Sequence, residues 1–506
     1  MQPQRGVSVA ASPRNSLPEP CPFFIQPGMK FLLVRPPVFL RVAERFHAFL
    51  HLEPLDLEIV AAGIGPGHEI RILDLTLNQR SAMSDFKSVM KTFAPDVVGF
   101  GGYSNQAGNI KELARLAKQI QPGVKTIVGG VHATIVPEDF QLPGTLDWVV
   151  RGEGSTAIRE LITHWEAGTT VPESDRILPT GSPAYAALAA LPPPALPDYD
   201  ALPWPRRDLV DRSRYFCVWA GARDERVKTL FPRVATLRTS TGCPHRCNFC
   251  VVHYLANGKY LQRTPADVVA EIEAVPETHI YFVDDEMFIS AKRAEAIGRL
   301  LLEKGIQKRY ISWARSDTIC KHPDLFKLWK QAGLEVVYVG LESLESKTLT
   351  DYNKGVQPDT NRRAIEILRE LDIILHAALM VNPDFTADDF VRLRNSLKEV
   401  APAEISFTVF SPPPGTPLWN QHKDRFICKD PHAFYDCMHT IMPTRLPLKT
   451  FYRYFSLLYL FGFRHNPWRS RRIKAPFRDL VRLFISGARC GHALKTIYKE
   501  YDRSQW

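Results

Sequence analysis

Three of the nine cysteines in this 506-residue chain fall within the stretch "TSTGCPHRCNFC" (239–250). Cys243, Cys247 and Cys250 have the spacing C-x3-C-x2-C, and clustered thiolates bind iron–sulfur clusters or zinc. Three ligands would leave one iron of a four-iron cluster open to a substrate or cofactor. Zinc would need a fourth ligand, for which His245 and His253 are available. The spacing favours a cluster over zinc, and either metal site over three ordinary buried thiols.

The cysteines directly follow the first of six apolar runs, which begin at Val234 and alternate with helical patterns such as 361–371. The runs are "VATLRTS", "HIYFVDDEMF", "RYISWARSD", "LEVVYVGLES", "IILHAALMV" and "EISFTVFSP". Six consecutive βα units predict a partial or full (β/α) barrel. In such barrels the chemistry lies at the carboxyl ends of the strands, which is where the cysteines fall.

A second α/β series lies upstream of the barrel. Five runs, interrupted by helical stretches such as 109–120, predict buried strands in a parallel, Rossmann-like sheet covered on both faces: "MKFLLVRPP", "HEIRILDLT", "DVVGFGGYS", "VKTIVGGVHAT" and "LDWVVRGEG". Glycines and polar residues follow three of these strands, in "GGYS" (101–104), "VGGVHAT" (128–134) and "VRGEGS" (150–155). Open α/β sheets bind ligands at that edge.

The chain is too long for one core and divides into several regions. A Pro-, Ser- and Gln-rich segment predicted to be disordered is followed by an α/β domain, a Pro-rich linker, a barrel and a basic helical region; the predicted bounds are 1–28, 29–170, 171–228, 229–430 and 431–506. The N-terminus lacks the apolar core of a signal peptide, and the run 455–463 is too short to span a bilayer. Isolated cysteines, odd in number, favour a reducing, cytoplasmic location.

Positive charge is concentrated at the C-terminal end. Residues 441–506 hold 14 Lys and Arg against 3 Asp and Glu, so this segment carries a net charge of +11. The whole chain carries +10, so the other residues together are close to neutral. Apolar residues recur there at helical spacing while Arg478 and Arg482 lie toward another side: Phe477, Leu480, Val481, Phe484 and Ile485. A helix of this kind can lie on an anionic membrane surface. The alternatives are a helix packed on the barrel with a solvated basic face and a nucleic-acid patch, which no RNA-binding motif supports.

With aromatic Phe249 before its last cysteine, the motif resembles that of the radical S-adenosylmethionine (SAM) enzymes. The resemblance implies that the open iron binds SAM and that the cluster, reduced by a donor such as flavodoxin or ferredoxin, cleaves it to a 5′-deoxyadenosyl radical. It also implies SAM contacts at other strand ends. Asp284, Asp285 or Glu286 would meet the amino group, Arg315 the carboxylate and Glu342 the ribose.

The upstream domain is similar to the cobalamin-binding domain of the cobalamin-dependent radical SAM enzymes. The resemblance implies cobalamin contacts at the three strand ends, from Ser104, Gly129, Gly130, His132, Gly152 and Glu153. The pattern Asp-x-His-x-x-Gly, which supplies a lower axial histidine elsewhere, is missing. We therefore expect no histidine ligand to cobalt, and we interpret His47 and His51 as loop or packing residues.

In related methylases a methyl group passes from SAM through cobalamin to an unactivated carbon from which the adenosyl radical has removed hydrogen. The layout most resembles enzymes that methylate C-3, in ring A of hopanoids, and this implies a hydrophobic triterpenoid substrate. The main alternative is a porphyrin-derived or other isoprenoid substrate, which the enzyme would methylate, cyclise or oxidise. A non-catalytic cobalamin sensor would not need the cysteine motif. Methylthiotransferases carry a second three-cysteine cluster upstream, where this chain has only Cys21 and Cys217.

Overall fold

The computed structural model describes residues 28–219, 225–464 and 474–501. The segment predicted to be disordered, 1–28, lies outside the described residues apart from Gly28. The described part of the chain folds into an N-terminal α/β unit, a second α/β unit and two long C-terminal helices.

The N-terminal sheet has six strands in the order β3-β1-β4-β5-β6-β7. Five are parallel and correspond to the five predicted strands: β1 Lys30–Arg35, β3 Glu69–Asp74, β4 Val97–Gly101, β5 Lys125–Gly129 and β6 Trp148–Val150. The sixth, β7 Ile177–Pro179, pairs antiparallel with β6 and comes from the segment assigned to the linker. A short ribbon joins β2 Leu50–His51 to β8 Phe216–Cys217.

Helices cover both faces of this sheet because its strands are apolar on both faces. In β1, Leu32 and Val34 join one hydrophobic cluster, while Phe31 and Leu33 join a second cluster on the other face. The helices of this unit are α1 Arg41–Phe46, α2 Leu55–Ile64, α3 Ala82–Phe93, α4 Ala107–Ile120, α5 Val131–Ile135, α6 Gly154–Glu166 and α7 Tyr185–Ala189. Burial of continuous apolar strands in this way is typical of a parallel sheet.

The second unit is a six-stranded parallel sheet in the order β16-β15-β14-β13-β12-β9, in which the edge strands β9 and β16 are not paired with each other. It is therefore a partial barrel. Its strands are β9 Val234–Leu237, β12 His279–Phe282, β13 Arg309–Ala314, β14 Leu334–Glu342, β15 Ile374–Val381 and β16 Glu404–Val409. A small ribbon, β10 Ser240–Thr241 with β11 Leu261–Gln262, flanks the cysteine loop.

Helices alternate with the strands of the partial barrel, as the sequence predicts. They are α8 Val252–Leu255, α9 Pro265–Ala274, α10 Ala291–Glu303, α11 Ser316–Lys321, α12 Pro323–Ala332, α13 Ser346–Asp351, α14 Pro358–Glu370, α15 Ala387–Val400 and α16 Pro417–His422. Their apolar faces form one large core with the strands, into which Phe326 and Trp329 of α12 are fully buried.

The C-terminal helices are α17 Leu448–Arg464 and α18 Phe477–Thr496. Helix α17 packs on β16 and α15, and α18 packs on α17 and α1. Phe451, Tyr452 and Phe455 of α17 are buried in the core of the barrel. Within the described residues, no helix combines the length and the hydropathy that a membrane span would require.

Candidate active site

A cavity of about 660 Å³ lies where the carboxyl ends of the N-terminal strands face the cysteine loop. One wall comes from the ends of β4, β5 and β6, and the opposite wall comes from the loop after β9 and from the end of β12. Part of the rim comes from Pro414 and Tyr435–Cys437, beyond the last barrel strand. The cavity therefore joins the two edges at which each sheet was expected to bind its ligand.

Glycines keep the N-terminal wall of the cavity open. Gly129, Gly130 and Gly152 all line it, as do Ser104 and Glu153. Gly130 has φ +97°, and a Cβ at this position would lie 2.8 Å from both the nitrogen and the oxygen of Gly102. Only glycine fits such a position. Five of the six predicted cobalamin contacts thus face one cradle, whose backbone a bulky cofactor tail can approach closely.

The sixth predicted contact, His132, does not line the cavity. It is fully buried behind the glycine wall, where its Nδ1 lies 3.0 Å from Ser104 Oγ and its Nε2 lies 3.0 Å from Asp139 Oδ2. The ring of His432 packs edge-on against it, with 4.9 Å between the centroids. His132 is thus placed to hold Ser104 in the wall.

His47 and His51 also lie outside the cavity lining, and their rings pack together with centroids 4.8 Å apart. His51 Nε2 lies 3.0 Å from Thr76 Oγ1. Both contacts accord with the interpretation of these histidines as packing residues.

The three cysteines share one loop at the mouth of the barrel. The amide of Cys250 donates a hydrogen bond to the carbonyl of Cys247, which turns the loop back on itself. Burial and the neighbouring thiols raise the pKa of Cys250 to about 12, and burial also raises the pKa of Cys243. Such buried thiols ionise when a positive group binds them, as an iron–sulfur cluster would.

Among the described residues, no three His, Cys, Asp or Glu side chains gather closely enough to hold a single metal ion. The thiols of Cys243 and Cys247 nevertheless lie close enough to raise the pKa of Cys250. A four-iron cluster presents a different iron to each ligand and so takes three separate thiolates.

The three acids after β12 differ in their partners. Asp284 is buried, and its Oδ1 accepts hydrogen bonds from the amide and hydroxyl of Thr239 at 3.0 and 2.9 Å and from Ser240, so it fixes the entry to the cysteine loop. Asp285 lines the cavity and accepts from the amide of Gly242 at 2.7 Å. Glu286 is buried with Oε1 unpaired, and burial raises its pKa to about 7.

Glu286 lies close enough to Cys243 for its charge to raise the pKa of that thiol. Its buried, unpaired oxygen needs a hydrogen-bond donor. Asp284 Oδ2 is also buried and unpaired, and the charge of Asp285 raises the pKa of Cys250. Of the three candidate acids, Glu286 is the one that combines a buried unpaired oxygen with an effect on a cysteine of the loop, and it therefore best fits the amino group of SAM.

The two remaining predicted SAM contacts flank the cysteine loop. Arg315 Nη1 lies 3.9 Å from Cys247 Sγ, while its Nη2 donates to the carbonyl of Lys354 at 2.8 Å. Glu342, at a bulge in β14, has φ +60° and pairs with Lys354 Nζ at 2.9 Å. Lys354 thus joins the two positions, although the sequence motifs did not single it out.

Sequence reasoning missed several residues of the cavity, including Asp56 and Arg238, and it marked Tyr103 only as part of "GGYS". The side chain of Tyr103 is 59% exposed, and because it lines the cavity this surface is available to a ligand. Cys437 also lines the cavity, in a left-handed conformation with φ +65° that non-glycine residues rarely adopt. No spacing rule links these positions to the cysteines, since they come from separate units of the fold.

Comparison with known proteins identifies both units. Residues 47–162 match the family model of a B12 binding domain, and residues 237–397 match that of the radical SAM superfamily. Hopanoid C-3 methylase from Methylococcus capsulatus is 32% identical over 410 residues, which cover 80% of this chain and 75% of that enzyme. The chain belongs to the cobalamin-dependent radical SAM methylases. The methylase therefore uses a [4Fe–4S] cluster, SAM and cobalamin, and the zinc and sensor alternatives are excluded.

Two further comparisons place the methylase among its relatives. Anaerobic magnesium-protoporphyrin IX monomethyl ester cyclase from Rubrivivax gelatinosus is 25% identical over 345 residues, or 66% of this chain and 60% of the cyclase. The structure of the radical SAM methyltransferase TsrM from Kitasatospora setae superposes with a TM-score of 0.56 at 17% identity and covers 75% of this chain and 73% of that one. The second similarity supports the two-unit fold.

Proposed function

We propose that the methylase adds a methyl group to C-3, in ring A of a hopanoid. The observation that carries this proposal is the cavity of about 660 Å³ that lies between the glycine cradle and the residues on either side of the cysteines, Gly242 and Val251. Apolar side chains such as Val251, Val252 and Leu255 line its barrel side and suit a rigid hydrocarbon skeleton. The 32% identity to a hopanoid C-3 methylase supports the choice of carbon.

Each group of residues has a distinct part in this proposal. Cys243, Cys247 and Cys250 hold the cluster, Glu286 binds the amino group of SAM, and Arg315, beside Cys247, binds the carboxylate of SAM. The glycine cradle admits cobalamin. When bound, the cofactors supply a radical able to remove hydrogen from an unactivated carbon and a methyl group for the carbon radical that results.

The chain's own residues position the reactants. Because the two walls belong to different units, cobalamin held at the glycine cradle and SAM held at the cysteine loop would be bound on opposite sides of the cavity. A substrate bound in the same cavity would be held near both cofactors. The reaction would then not depend on separate encounters of the substrate with each cofactor in solution. The alternative of cyclisation or oxidation of a porphyrin-derived substrate has support from the cyclase relative, at lower identity.

Lipid mass spectrometry tests the proposal. The gene would be expressed in a hopanoid-producing bacterium that does not methylate ring A, and a new hopanoid heavier by one methyl, with the added mass on the A/B-ring fragment, is expected. NMR of that product then distinguishes C-3 from the neighbouring C-2. Cys250→Ala should abolish the product, whereas the matched control Cys320→Ala, outside the cysteine loop, should retain it.

Unchanged hopanoids in cells whose enzyme carries both cofactors would overturn the hopanoid proposal. Methylation at C-2 would overturn only the choice of carbon. Product formed by Cys250→Ala would contradict the role of the cysteine loop.

A further inference from the structure

The exposed apolar side chains of the methylase are concentrated on the two C-terminal helices. Among the described residues, eight of the fifteen large hydrophobic side chains that are exposed belong to α17 and α18. Phe477 is 80% exposed and Phe484 is 68% exposed. Large apolar side chains scattered singly are ordinary, but a cluster of this kind marks an interaction surface.

Helix α18 is apolar on two opposite faces. One face packs inward through Leu483, Cys490 and Leu494, which are buried. On the other face lie the exposed residues Phe477, Leu480, Val481, Phe484 and Ile485. Since the buried face already attaches the helix to the fold, the exposed stripe is not required for that packing.

Helix α17 extends this stripe. Leu457, Leu460 and Phe463 are between 43% and 47% exposed. The ring of Phe463 lies against Gly487 of α18, 3.5 Å from where a Cβ would stand. The exposed residues of the two helices therefore form one surface, here called the C-terminal apolar face, which consists of Leu457, Leu460, Phe463, Phe477, Leu480, Val481, Phe484 and Ile485.

The exposed charges that the described parts of the two C-terminal helices carry have one sign. The two acids within the described residues of 441–501 are Asp479 and Glu500, and both are buried. Asp479 accepts hydrogen bonds from Thr229 Oγ1 at 2.7 Å and from the Leu230 amide at 2.8 Å, and Glu500 accepts from the Arg41 amide at 3.2 Å. The acids thus fasten the region to the rest of the molecule.

The bases, in contrast, are exposed. Lys449 and Arg453 lie on α17, Arg489 and Lys495 lie on α18, and Lys499 follows it. An apolar stripe on helices that also carry exposed lysine and arginine, without an exposed carboxylate in the described part of 441–501, complements a surface that is apolar inside and anionic outside. A second copy of the chain would instead bring like charges together, which is unfavourable.

We propose that the C-terminal apolar face docks the methylase on the surface of an anionic lipid bilayer. Phe477 and Phe484 enter the boundary between headgroups and acyl chains, and the surrounding lysines and arginines contact the lipid phosphates. Because no described helix could span a bilayer, the attachment is peripheral. The proposal is independent of the reaction, although docking at a membrane would suit a substrate dissolved in lipid.

Vesicle co-sedimentation of the full-length holoenzyme tests the proposal. The wild type should bind vesicles of phosphatidylcholine that contain anionic phosphatidylglycerol, should bind pure phosphatidylcholine weakly, and should be released by salt. The double variant Phe477→Ser/Phe484→Ser should lose at least about tenfold in affinity for anionic vesicles. Arg489→Glu/Lys495→Glu should reduce the preference for anionic lipid.

The matched control is Leu191→Ser/Leu302→Ser, which removes two exposed leucines elsewhere and should bind as the wild type does. Unchanged melting temperatures establish that the variants fold. Failure of the wild type to bind anionic vesicles, or equal binding by the phenylalanine variant, would overturn the proposal. Light scattering would also overturn the proposal if it showed that the wild type is a dimer and that the phenylalanine variant is a monomer. The C-terminal apolar face would then be an interface between two copies of the chain.

Discussion

Three consecutive acids at the end of β12 show how neighbouring residues of one type acquire different roles. Asp284 and Asp285 accept hydrogen bonds from the chain that leads into the cysteine loop. Glu286, like Asp284 at its Oδ2, retains a buried oxygen without a partner, and it also lies near the thiol of Cys243. A buried carboxylate oxygen without a donor costs free energy, and a ligand that supplies a donor recovers it. The chemistry of SAM, which carries an ammonium group, meets that need.

We expect Glu286→Gln to weaken SAM binding by roughly 10- to 100-fold, because a hydrogen bond to a charged group contributes about 1.5–3 kcal/mol. Burial raises the pKa of Glu286 to about 7. Wild-type affinity should therefore rise as the pH increases through about 7 and the carboxylate ionises, whereas the Gln variant should lack this rise. Equilibrium dialysis of cluster-loaded protein with labelled SAM measures both effects.

The control for this variant is Glu295→Gln, an exposed position on α10, which should leave affinity and its pH dependence unchanged. Equal SAM affinity in the wild type and Glu286→Gln would contradict the assignment and shift attention to Asp285, which lines the cavity.

The residues that could be predicted from sequence are those marked by local spacing. Cys243, Cys247 and Cys250 share one short loop, and a residue pattern is enough to find them. Tyr103 and Cys437 face the same cavity from parts of the chain more than 300 residues apart, so their proximity depends on how the two units dock. His132 follows a glycine pair, which pointed to the cofactor, but its ring turns away to bind Ser104 and Asp139.

At the scale of the elements, the glycine wall depends on where β5 ends. Gly129 is the last residue of β5 and lines the cavity, and the nearest atom to an added Cβ would be the Val150 oxygen at 3.6 Å. A Cβ can therefore be added there in ordinary contact, without a backbone clash. Gly130, in contrast, adopts a positive φ and would clash with Gly102, so its substitution would test folding as much as binding.

We expect Gly129→Leu to fold normally but to retain cobalamin at least about tenfold less tightly, because the new side chain occupies space that the cofactor tail requires. Absorbance of the purified protein after reconstitution measures retained cobalamin. Gly123→Leu, in an exposed turn with no atom within 4 Å of the added Cβ, is the matched control and should retain cobalamin. Full cobalamin retention by Gly129→Leu would place the tail elsewhere.

The alternation of strands and helices was predicted because apolar period and length are local properties. Strand β7 was not, because Ile177–Pro179 is short and lies where prolines become frequent. It exists because β6 offers an unpaired edge, and Ile177 pairs there with Val150. A strand of three residues is too short to show an alternation of apolar and polar residues, so its pairing with β6 cannot be read from the sequence.

On the scale of the whole molecule, the two units are joined by buried charges beneath the linker. Arg207 of the linker pairs with Glu271 of α9 at 2.7 Å, and Glu53, which precedes α2, accepts a hydrogen bond from the amide of Thr236 in β9 at 2.7 Å. This network fixes the orientation of the N-terminal sheet relative to the barrel, and therefore the shape of the cavity between them. No sequence pattern indicates it, since its members are far apart in the chain.

Glu58 of α2 lies beside this network and is fully buried with neither carboxylate oxygen hydrogen-bonded. Burial first, and then the charge of Glu53, raises its pKa from 4.5 to about 8. The folded protein thus holds a proton on Glu58 at pH values where the unfolded chain has lost it. The contribution of Glu58 to the free energy of unfolding is fully present below about pH 4.5, and it is lost as the pH rises toward about 8.

We expect Glu58→Gln, which imitates the protonated side chain, to remove this decline. The variant and the wild type should have similar free energies of unfolding near pH 5, and by pH 8 the variant should be more stable by on the order of a few kcal/mol. Denaturant unfolding of both proteins across this range measures the difference, and Glu303→Gln, exposed at the end of α10, should follow the wild type.

Because Glu58 lies beneath the linker, the stabilised variant should also hold the two units together more firmly at alkaline pH. Limited proteolysis would detect this as slower cleavage of the linker. A variant that is less stable than the wild type at pH 8 would mean that the ionised carboxylate of Glu58 contributes to the charge network through Arg207 or Arg212.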